Sequence, residues 1–150
     1  GLSYQPDQIV VSTGAKNSLM NVVLSLVDAG DEVILPTPYW VSYADMVNLT
    51  GGQVVEVKTG IAQDFKMTAE QLRAALTDRT RVVMLNSPNN PSGSVYTAQE
   101  MAALAEVLDA HPHAVAISDE IYEYINFTHI VFEIVKGHFW FDHPELREVS

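Results

Sequence analysis

The sequence predicts an α/β protein with three layers, in which helices cover both faces of a mostly parallel sheet. Along the 150 residues, short apolar runs alternate with longer segments of helical periodicity, an order typical of strands joined by helical crossovers. The strand candidates are apolar throughout, as expected of strands buried on both faces. A hydrophobic share of 47% and a charged share of 18% indicate a globular chain with a substantial core.

The first half of the chain contains three strand candidates with two helices between them. Residues 8–12 form a short β-branched run that ends in a turn, and we expect a buried strand there. A helix over residues 15–29 carries apolar side chains on more than one face, which predicts packing on more than one side. Further elements follow in order, each ended by proline or glycine: a strand at 32–35, a helix at 41–49 and a strand at 53–58.

The second half contains two helices with clear start signals. Thr68 followed by Gln71, and Thr97 followed by Glu100, have the spacing of capping boxes and predict helices that begin directly after each threonine. Apolar side chains at helical spacing then define the faces we expect to be buried. These are Leu72, Ala75 and Leu76 in the first helix, and Met101, Leu104, Ala105 and Leu108 in the second. Two strand candidates, residues 81–85 and 114–118, complete the alternation, and a turn-rich loop over 86–93 follows the first of them.

Polar and aromatic side chains stand where these strands end, and ligands of open α/β sheets bind beyond the carboxyl ends of the strands. Residues 13–16 lie between a strand and a helix, where free backbone N–H groups favour an anion such as phosphate. A plain turn is the alternative, because the segment matches neither the dinucleotide fingerprint nor the P-loop. Trp40 and Asn90 follow two strands, and Asp119 ends another with Tyr122 close behind. Each also has an ordinary structural explanation, as core, turn or helix cap.

Composition limits the classes of partner. The chain has 8 basic and 19 acidic side chains, a formal net charge of −11 and no cysteine. Nucleic acid and anionic membranes attract clustered lysine and arginine, so neither is an expected partner. No disulfide framework or thiolate metal site is possible. No apolar run approaches the ~18 residues that span a bilayer, and the N-terminus lacks a signal-peptide pattern. We therefore expect a cytoplasmic protein.

Four sequence blocks in this order resemble the large domain of class I, fold-type I pyridoxal-phosphate-dependent aminotransferases of the aspartate aminotransferase kind. The blocks are VVSTGAKNSL, AGDEVILPTPYWVSY, TRVVMLNSPNNPSG and AISDEIYEYINF. The resemblance covers about residues 1–128. It implies that the chain is the central part of that large domain, with pyridoxal 5′-phosphate as cofactor. The implied reaction is transfer of an amino group between an amino acid and a 2-oxo acid, in a parent enzyme expected to be a homodimer.

The resemblance also implies roles at the cofactor. The backbone of Gly14, Ala15 and Lys16 would hold its phosphate. Trp40 would stack on the pyridine ring, and Asp119 would pair with the protonated ring nitrogen. That pairing would keep the ring an electron sink.

Two further side chains are implied at the phenolic oxygen of the cofactor. Asn90 would donate a hydrogen bond to it, and Tyr122 would be a second donor. Together with the phosphate, ring-face and ring-nitrogen contacts, these complete the predicted cofactor site.

Departures from the family pattern lead to further expectations. No Ser-x-x-Lys or Ser-Lys segment follows Asp119, so the lysine that would form a Schiff base with the cofactor is not found. The arginine for the substrate carboxylate is not found either. Residues 129–150 do not match the family, and we expect residues 1–128 to be a partial cofactor-binding domain followed by an unrelated tail. With Gly1 in place of a methionine, this predicts an incomplete or rearranged piece that is inactive alone.

The tail and the chain as a whole leave alternatives. Lys136 lacks the flanking residues of the family's Schiff-base lysine. The tail also contains three histidines, His129, His138 and His143, but they do not form a metal-site pattern, and no metal is predicted. A non-catalytic α/β binding or scaffold protein is the alternative to a transaminase. A dinucleotide-binding domain is disfavoured, because the glycine pattern and the ribose-binding acid are not evident.

Overall fold

The computed structural model of the chain describes residues 4–125, which contain four helices, four strands and three short 3₁₀ turns. The helices are α1 (Ala15–Leu26), α2 (Ser42–Thr50), α3 (Ala69–Ala75) and α4 (Ala98–Asp109). The strands are β1 (Glu32–Pro36), β2 (Gln53–Val57), β3 (Thr80–Asn86) and β4 (Val115–Asp119). The 3₁₀ turns are Pro6–Gln8, Ile61–Gln63 and Glu123–Ile125.

The four strands form one sheet in the order β2-β1-β3-β4, and every neighbouring pair is parallel. The chain moves outward from β1 to β2 and then returns past β1 to β3, so the strand order reverses between β1 and β3. Carboxyl ends on either side of such a reversal leave a crevice in which α/β proteins bind ligands. In the register of the last pair, Asn86 lies opposite Asp119, so both strands end in polar side chains at the same edge.

Helices cover both faces of the sheet and create two cores. On one face, Ile34 and Leu85 of the sheet pack with Leu72 of α3 and Leu104 of α4. On the other, Val33 and other sheet residues pack with side chains of α1 and α2. Neighbours Val33 and Ile34 point to opposite faces, as strand geometry requires, and both are fully buried. The predicted three-layer α/β architecture with a parallel sheet is confirmed.

The two capping boxes start α3 and α4 as predicted. The Thr68 hydroxyl accepts from the backbone N–H of Gln71 at 3.3 Å, and the Gln71 side chain accepts from the Thr68 N–H at 3.0 Å. Thr97 and Glu100 exchange the same pair of bonds at 3.2 and 2.7 Å. These reciprocal bonds satisfy N–H groups that a helix start otherwise leaves without partners.

Residues 8–12 are not a strand, which makes the first strand prediction wrong. Gln8 is the last residue of a 3₁₀ turn, Ile9 follows it in extended backbone, and Ile9, Val10 and Val11 are exposed. β-branched composition favours a strand only where a neighbouring strand supplies hydrogen bonds and packing. No strand within residues 4–125 pairs with this segment.

Helix α1 also differs from its prediction. It ends at Leu26 instead of residue 29, because Val27 leaves the helix in extended backbone. Leu19, Val23 and Val27 are buried along one side, whereas Leu24 is 56% exposed. Among the described residues the helix therefore packs on one side only, although its sequence is apolar on more than one. No helix of this part of the chain is long and apolar enough to cross a membrane.

Candidate functional site

A cleft of about 240 Å³ opens at the carboxyl ends of β3 and β4, beside the N-terminus of α1. Its walls come from four segments that are far apart in the sequence: the start of α1, the β1–α2 region, the end of β3 with the following loop, and the end of β4 with the following turn. The lining residues are Ala15, Lys16, Leu19, Trp40, Tyr43, Asn86, Asn90, Asp119, Ile121 and Tyr122.

Six of the seven residues predicted for the site line this cleft, and the seventh is adjacent to it. The six are Ala15, Lys16, Trp40, Asn90, Asp119 and Tyr122. Gly14 is the N-cap of α1, directly before the lining residue Ala15. The sequence therefore identified side chains that the fold brings together, although they are spread over more than a hundred positions.

The start of α1 forms one end of the cleft. Gly14 has φ +87° and ψ 157°, a backbone conformation essentially restricted to glycine. Glycine has no side chain that could cap the helix, so no side-chain hydrogen bond from the N-cap residue occupies the first N–H groups of α1. A helix N-terminus of this kind carries partial positive charge and attracts anions.

Aromatic rings form a wall beside that helix start. The Trp40 ring meets the ring of Tyr43 edge-on, with centroids 5.6 Å apart and an angle of 88° between the planes. The Lys16 ammonium lies 5.0 Å from the centre of the Trp40 ring, within the range of a cation–π interaction. The cleft thus offers a flat indole surface next to a cation and a helix N-terminus.

Asp119 is held at the end of β4 by groups that contact both of its carboxylate oxygens. The Tyr43 hydroxyl donates to Oδ2 at 2.7 Å, and the Ile121 backbone N–H donates to Oδ1 at 3.2 Å. The Asn86 amide donates to the backbone carbonyl of Asp119 at 2.8 Å. These contacts fix a carboxylate in the wall of the cleft, where acceptor lone pairs remain for a ligand.

Asn86 also positions Asn90. The Asn90 backbone N–H donates to Asn86 Oδ1 at 2.7 Å, and the Asn90 side-chain amide donates to the Tyr122 hydroxyl at 3.3 Å. Asn86 therefore ties the loop after β3 to the end of β4. The result places two hydrogen-bonding side chains, Asn90 and Tyr122, next to each other in the cleft.

Sequence reasoning missed Tyr43 and Asn86. Asn86 is the last residue of β3, so its place at a strand end was a usable signal. Tyr43 lies three residues after the predicted site residue Trp40, but Trp40 precedes α2, so helical spacing gave no signal for it. Burial, followed by the hydrogen bond to Asp119, raises the pKa of the Tyr43 hydroxyl far above its usual range. The hydroxyl is accordingly a donor at neutral pH.

The donor set suits an anionic, aromatic cofactor such as pyridoxal 5′-phosphate. A helix N-terminus suits the phosphate, an indole face suits the pyridine ring, and a carboxylate suits a protonated ring nitrogen. No group of three or more His, Asp or Glu side chains within residues 4–125 could hold a metal ion. The sequence analysis considered a Schiff-base lysine at Lys136 and metal ligands at His129, His138 and His143. All four lie outside the described residues.

The chain is similar to known aminotransferases. The family model "Aminotransferase class I and II" matches residues 1–141, beyond residue 128 where the sequence resemblance was expected to stop. An aspartate/prephenate aminotransferase of Cereibacter sphaeroides is 50% identical over 132 residues, which are 88% of this chain and 33% of the relative. An aspartate aminotransferase of Rhizobium meliloti is 50% identical over 125 residues, which are 83% of this chain and 30% of the relative.

Solved structures extend the similarity to the fold. The crystal structure of an aspartate aminotransferase from Rhizobium meliloti matches with a TM-score of 0.85 and 47% identity, over 87% of this chain and 33% of that one. The chain thus spans about a third of the length of the relatives it matches. Enzymes of class I use pyridoxal 5′-phosphate, so the predicted cofactor is confirmed for the family. The chain belongs to the class I and II aminotransferase family.

Proposed function

We propose that the cleft binds pyridoxal 5′-phosphate and that the chain provides the cofactor-binding part of a transaminase. The observation that carries the proposal is the position of Asp119 at the end of β4, facing the same cleft as the Trp40 ring and the start of α1. A carboxylate, an indole face and a helix N-terminus in one cleft match the three chemical parts of this cofactor. The substrates would be an amino acid and a 2-oxo acid, and the parent enzyme would be a homodimer.

Each side chain would have a separate task in binding. The backbone N–H groups at Gly14, Ala15 and Lys16 would hold the phosphate, because the helix start has no side-chain cap. Trp40 would cover one face of the ring and exclude water from it. The Asp119 carboxylate would face the ring nitrogen and accept a hydrogen bond from its proton, at the oxygen lone pairs that Tyr43 and Ile121 leave free.

The remaining polar pair would fix the orientation of the ring in its plane. The Asn90 amide and the Tyr122 hydroxyl lie within hydrogen-bond distance of each other, and both can donate to the phenolic oxygen. When bound, the cofactor supplies an electron sink that stabilises negative charge at the α-carbon of an amino acid. This pair, together with the ion pair at the ring nitrogen, would hold the cofactor ring in a fixed orientation relative to the substrate.

Calorimetric titration of the chain with pyridoxal 5′-phosphate tests this proposal. We expect saturable binding at one site and a loss of affinity of roughly 10-fold to 100-fold in Asp119→Asn, the range for a hydrogen bond to a charged group. Asp45→Asn is the matched control, because Asp45 is an exposed aspartate on α2 and does not line the cleft. Equal affinity in all three proteins, or no binding by the unmodified chain, would refute the proposal. The second outcome would favour a non-catalytic α/β scaffold.

A further inference from the structure

We propose that Tyr43 is a positioning residue that holds two parts of the cofactor site, the Asp119 carboxylate and the Trp40 ring, in a fixed relation. The inference rests on the proposed function, since it assigns a task at the same cleft. Tyr43 belongs to α2, whereas Asp119 ends β4, 76 positions away in the sequence. A single side chain therefore links the helix layer to the sheet edge at the site.

The first link is a short hydrogen bond. The Tyr43 hydroxyl donates to Asp119 Oδ2 at 2.7 Å, near the usual distance for an O–H···O bond. The other oxygen, Oδ1, accepts only the longer 3.2 Å bond from the Ile121 N–H, and Ile121 is itself exposed. Without Tyr43, the carboxylate would be restrained at one oxygen only and could rotate about its side-chain bonds.

The second link is the ring contact. The Tyr43 ring packs edge-on against Trp40 at 5.6 Å, a favoured geometry for aromatic pairs. Trp40 itself lies outside regular secondary structure, before the start of α2. Its ring therefore depends on side-chain contacts for its orientation, and Tyr43 supplies one from a rigid element.

Tyr43 is suited to this task because it is itself buried in the core. It is 2% exposed and packs in the core between α1, α2 and the sheet with Val47 and Met46 as neighbours in α2. A phenylalanine would fill the same space, so burial alone does not require the hydroxyl. In this core the hydroxyl is directed at the one carboxylate that lines the cleft among the described residues.

The chain contains a matched control four positions earlier. The Tyr39 hydroxyl donates to Glu56 Oε1 at 2.8 Å, so Tyr39→Phe also removes a tyrosine–carboxylate bond. Neither Tyr39 nor Glu56 lines the cleft. The two Tyr→Phe variants thus make the same chemical change, and only one of them alters the proposed cofactor site.

The test compares two ligands by calorimetric titration of the full chain. One is pyridoxine 5′-phosphate, which has no aldehyde and binds without a covalent bond to lysine. The other is its analogue with a carbon–hydrogen group in place of the ring nitrogen. If Tyr43 acts through Asp119, Tyr43→Phe weakens binding of the nitrogen ligand by about threefold to tenfold, the equivalent of one ordinary hydrogen bond. Binding of the carbon analogue changes less than about twofold, which is small beside that loss. Tyr39→Phe leaves both affinities unchanged.

Three outcomes overturn the inference. An equal loss for both ligands in Tyr43→Phe would show that the hydroxyl has a general structural role. Unchanged binding of both ligands in Tyr43→Phe, while Asp119→Asn still weakens the nitrogen ligand, would overturn the role of Tyr43 and leave the proposed function intact. Failure of the unmodified chain to bind either ligand would overturn both the proposed function and this inference.

Discussion

Replacing Asn86 by aspartate should lower the free energy of unfolding and break a hydrogen bond at the edge of the cleft. The two side chains have nearly the same shape, so the change replaces one amide donor by an acceptor and adds a negative charge. In the native structure the Asn86 amide donates to the Asp119 carbonyl at 2.8 Å, and its Oδ1 accepts from the Asn90 N–H at 2.7 Å. The residue is only 6% exposed, so bulk water has little access to the lost donor.

The size of the effect follows from these contacts. The bond to Asn90 survives the substitution, because an aspartate oxygen can still accept there. The bond to the Asp119 carbonyl is replaced by two oxygens facing each other, and the new charge must be buried. Loss of a buried hydrogen bond with an unsatisfied partner costs about 1–3 kcal/mol, and more when a charge is involved. We expect a loss of about 2–4 kcal/mol in the free energy of unfolding.

Urea unfolding at pH 7, followed by circular dichroism, measures this loss directly. Asn48→Asp is the control, because Asn48 is exposed on α2 and the substitution adds the same charge; its unfolding free energy should change by less than about 0.5 kcal/mol. A loss below about 1 kcal/mol in Asn86→Asp would mean that the bond across the ends of β3 and β4 is not a significant restraint, and the reasoning would be refuted.

Other variants test the packing and charge that support the site. Tyr96→Phe should cost about 1–3 kcal/mol of unfolding free energy in urea, because the buried hydroxyl accepts from the Met67 N–H at 2.8 Å and that N–H would lose its partner; an unchanged midpoint and slope would contradict this. Burial raises the pKa of Tyr96 to about 12 from the ordinary tyrosine value of 10. The contribution of its hydroxyl to the free energy of unfolding is therefore complete below pH 10 and is lost as the pH rises through about 12. Leu104→Ala should cost about 2–5 kcal/mol in the same assay, since the side chain is fully buried and leaves a cavity; a loss under about 1 kcal/mol would place Leu104 outside the core. The Thr77 hydroxyl and Arg79, opposed by burial, hold the pKa of Glu32 below its usual value of 4.5. The ionised Glu32 side chain therefore stabilises the fold above that pH, and this stabilisation is lost on acidification. Glu32→Gln should accordingly flatten the decline in unfolding free energy between pH 5 and 3. An identical decline in both proteins would exclude this role.

The sequence was most informative where a local pattern determines a local structure. The capping boxes at Thr68 and Thr97 predicted the first residues of α3 and α4, because the bonds of a capping box form within one turn. The strand ends marked by Asn90 and Asp119 predicted the edge at which the cleft opens, since parallel strands end at a common edge. The strand prediction for residues 8–12 was wrong because a strand also needs a neighbouring strand to pair with, and local composition does not show whether one is present.

The contacts that hold the site together were harder to predict. Asn86 and Tyr43 both donate hydrogen bonds to Asp119, which lies 33 and 76 positions away from them respectively. No periodicity or motif predicts a hydrogen bond over such a separation, so the bonds of these residues to Asp119 became evident only once the helices and strands had been placed. The same holds for the exposed side of α1, whose apolar residues predicted packing partners that residues 4–125 do not supply.

Fluorescence of Trp40 provides the most direct test that this cleft is the cofactor site. The chain has two tryptophans, so Trp140→Phe leaves Trp40 as the only reporter, and its ring lines the cleft. We predict that pyridoxal 5′-phosphate quenches this fluorescence saturably, with a midpoint shifted to higher concentration by Asp119→Asn and unchanged by Asp45→Asn. Quenching that does not saturate, or that has the same midpoint in all three proteins, would contradict binding of the cofactor between Trp40 and Asp119.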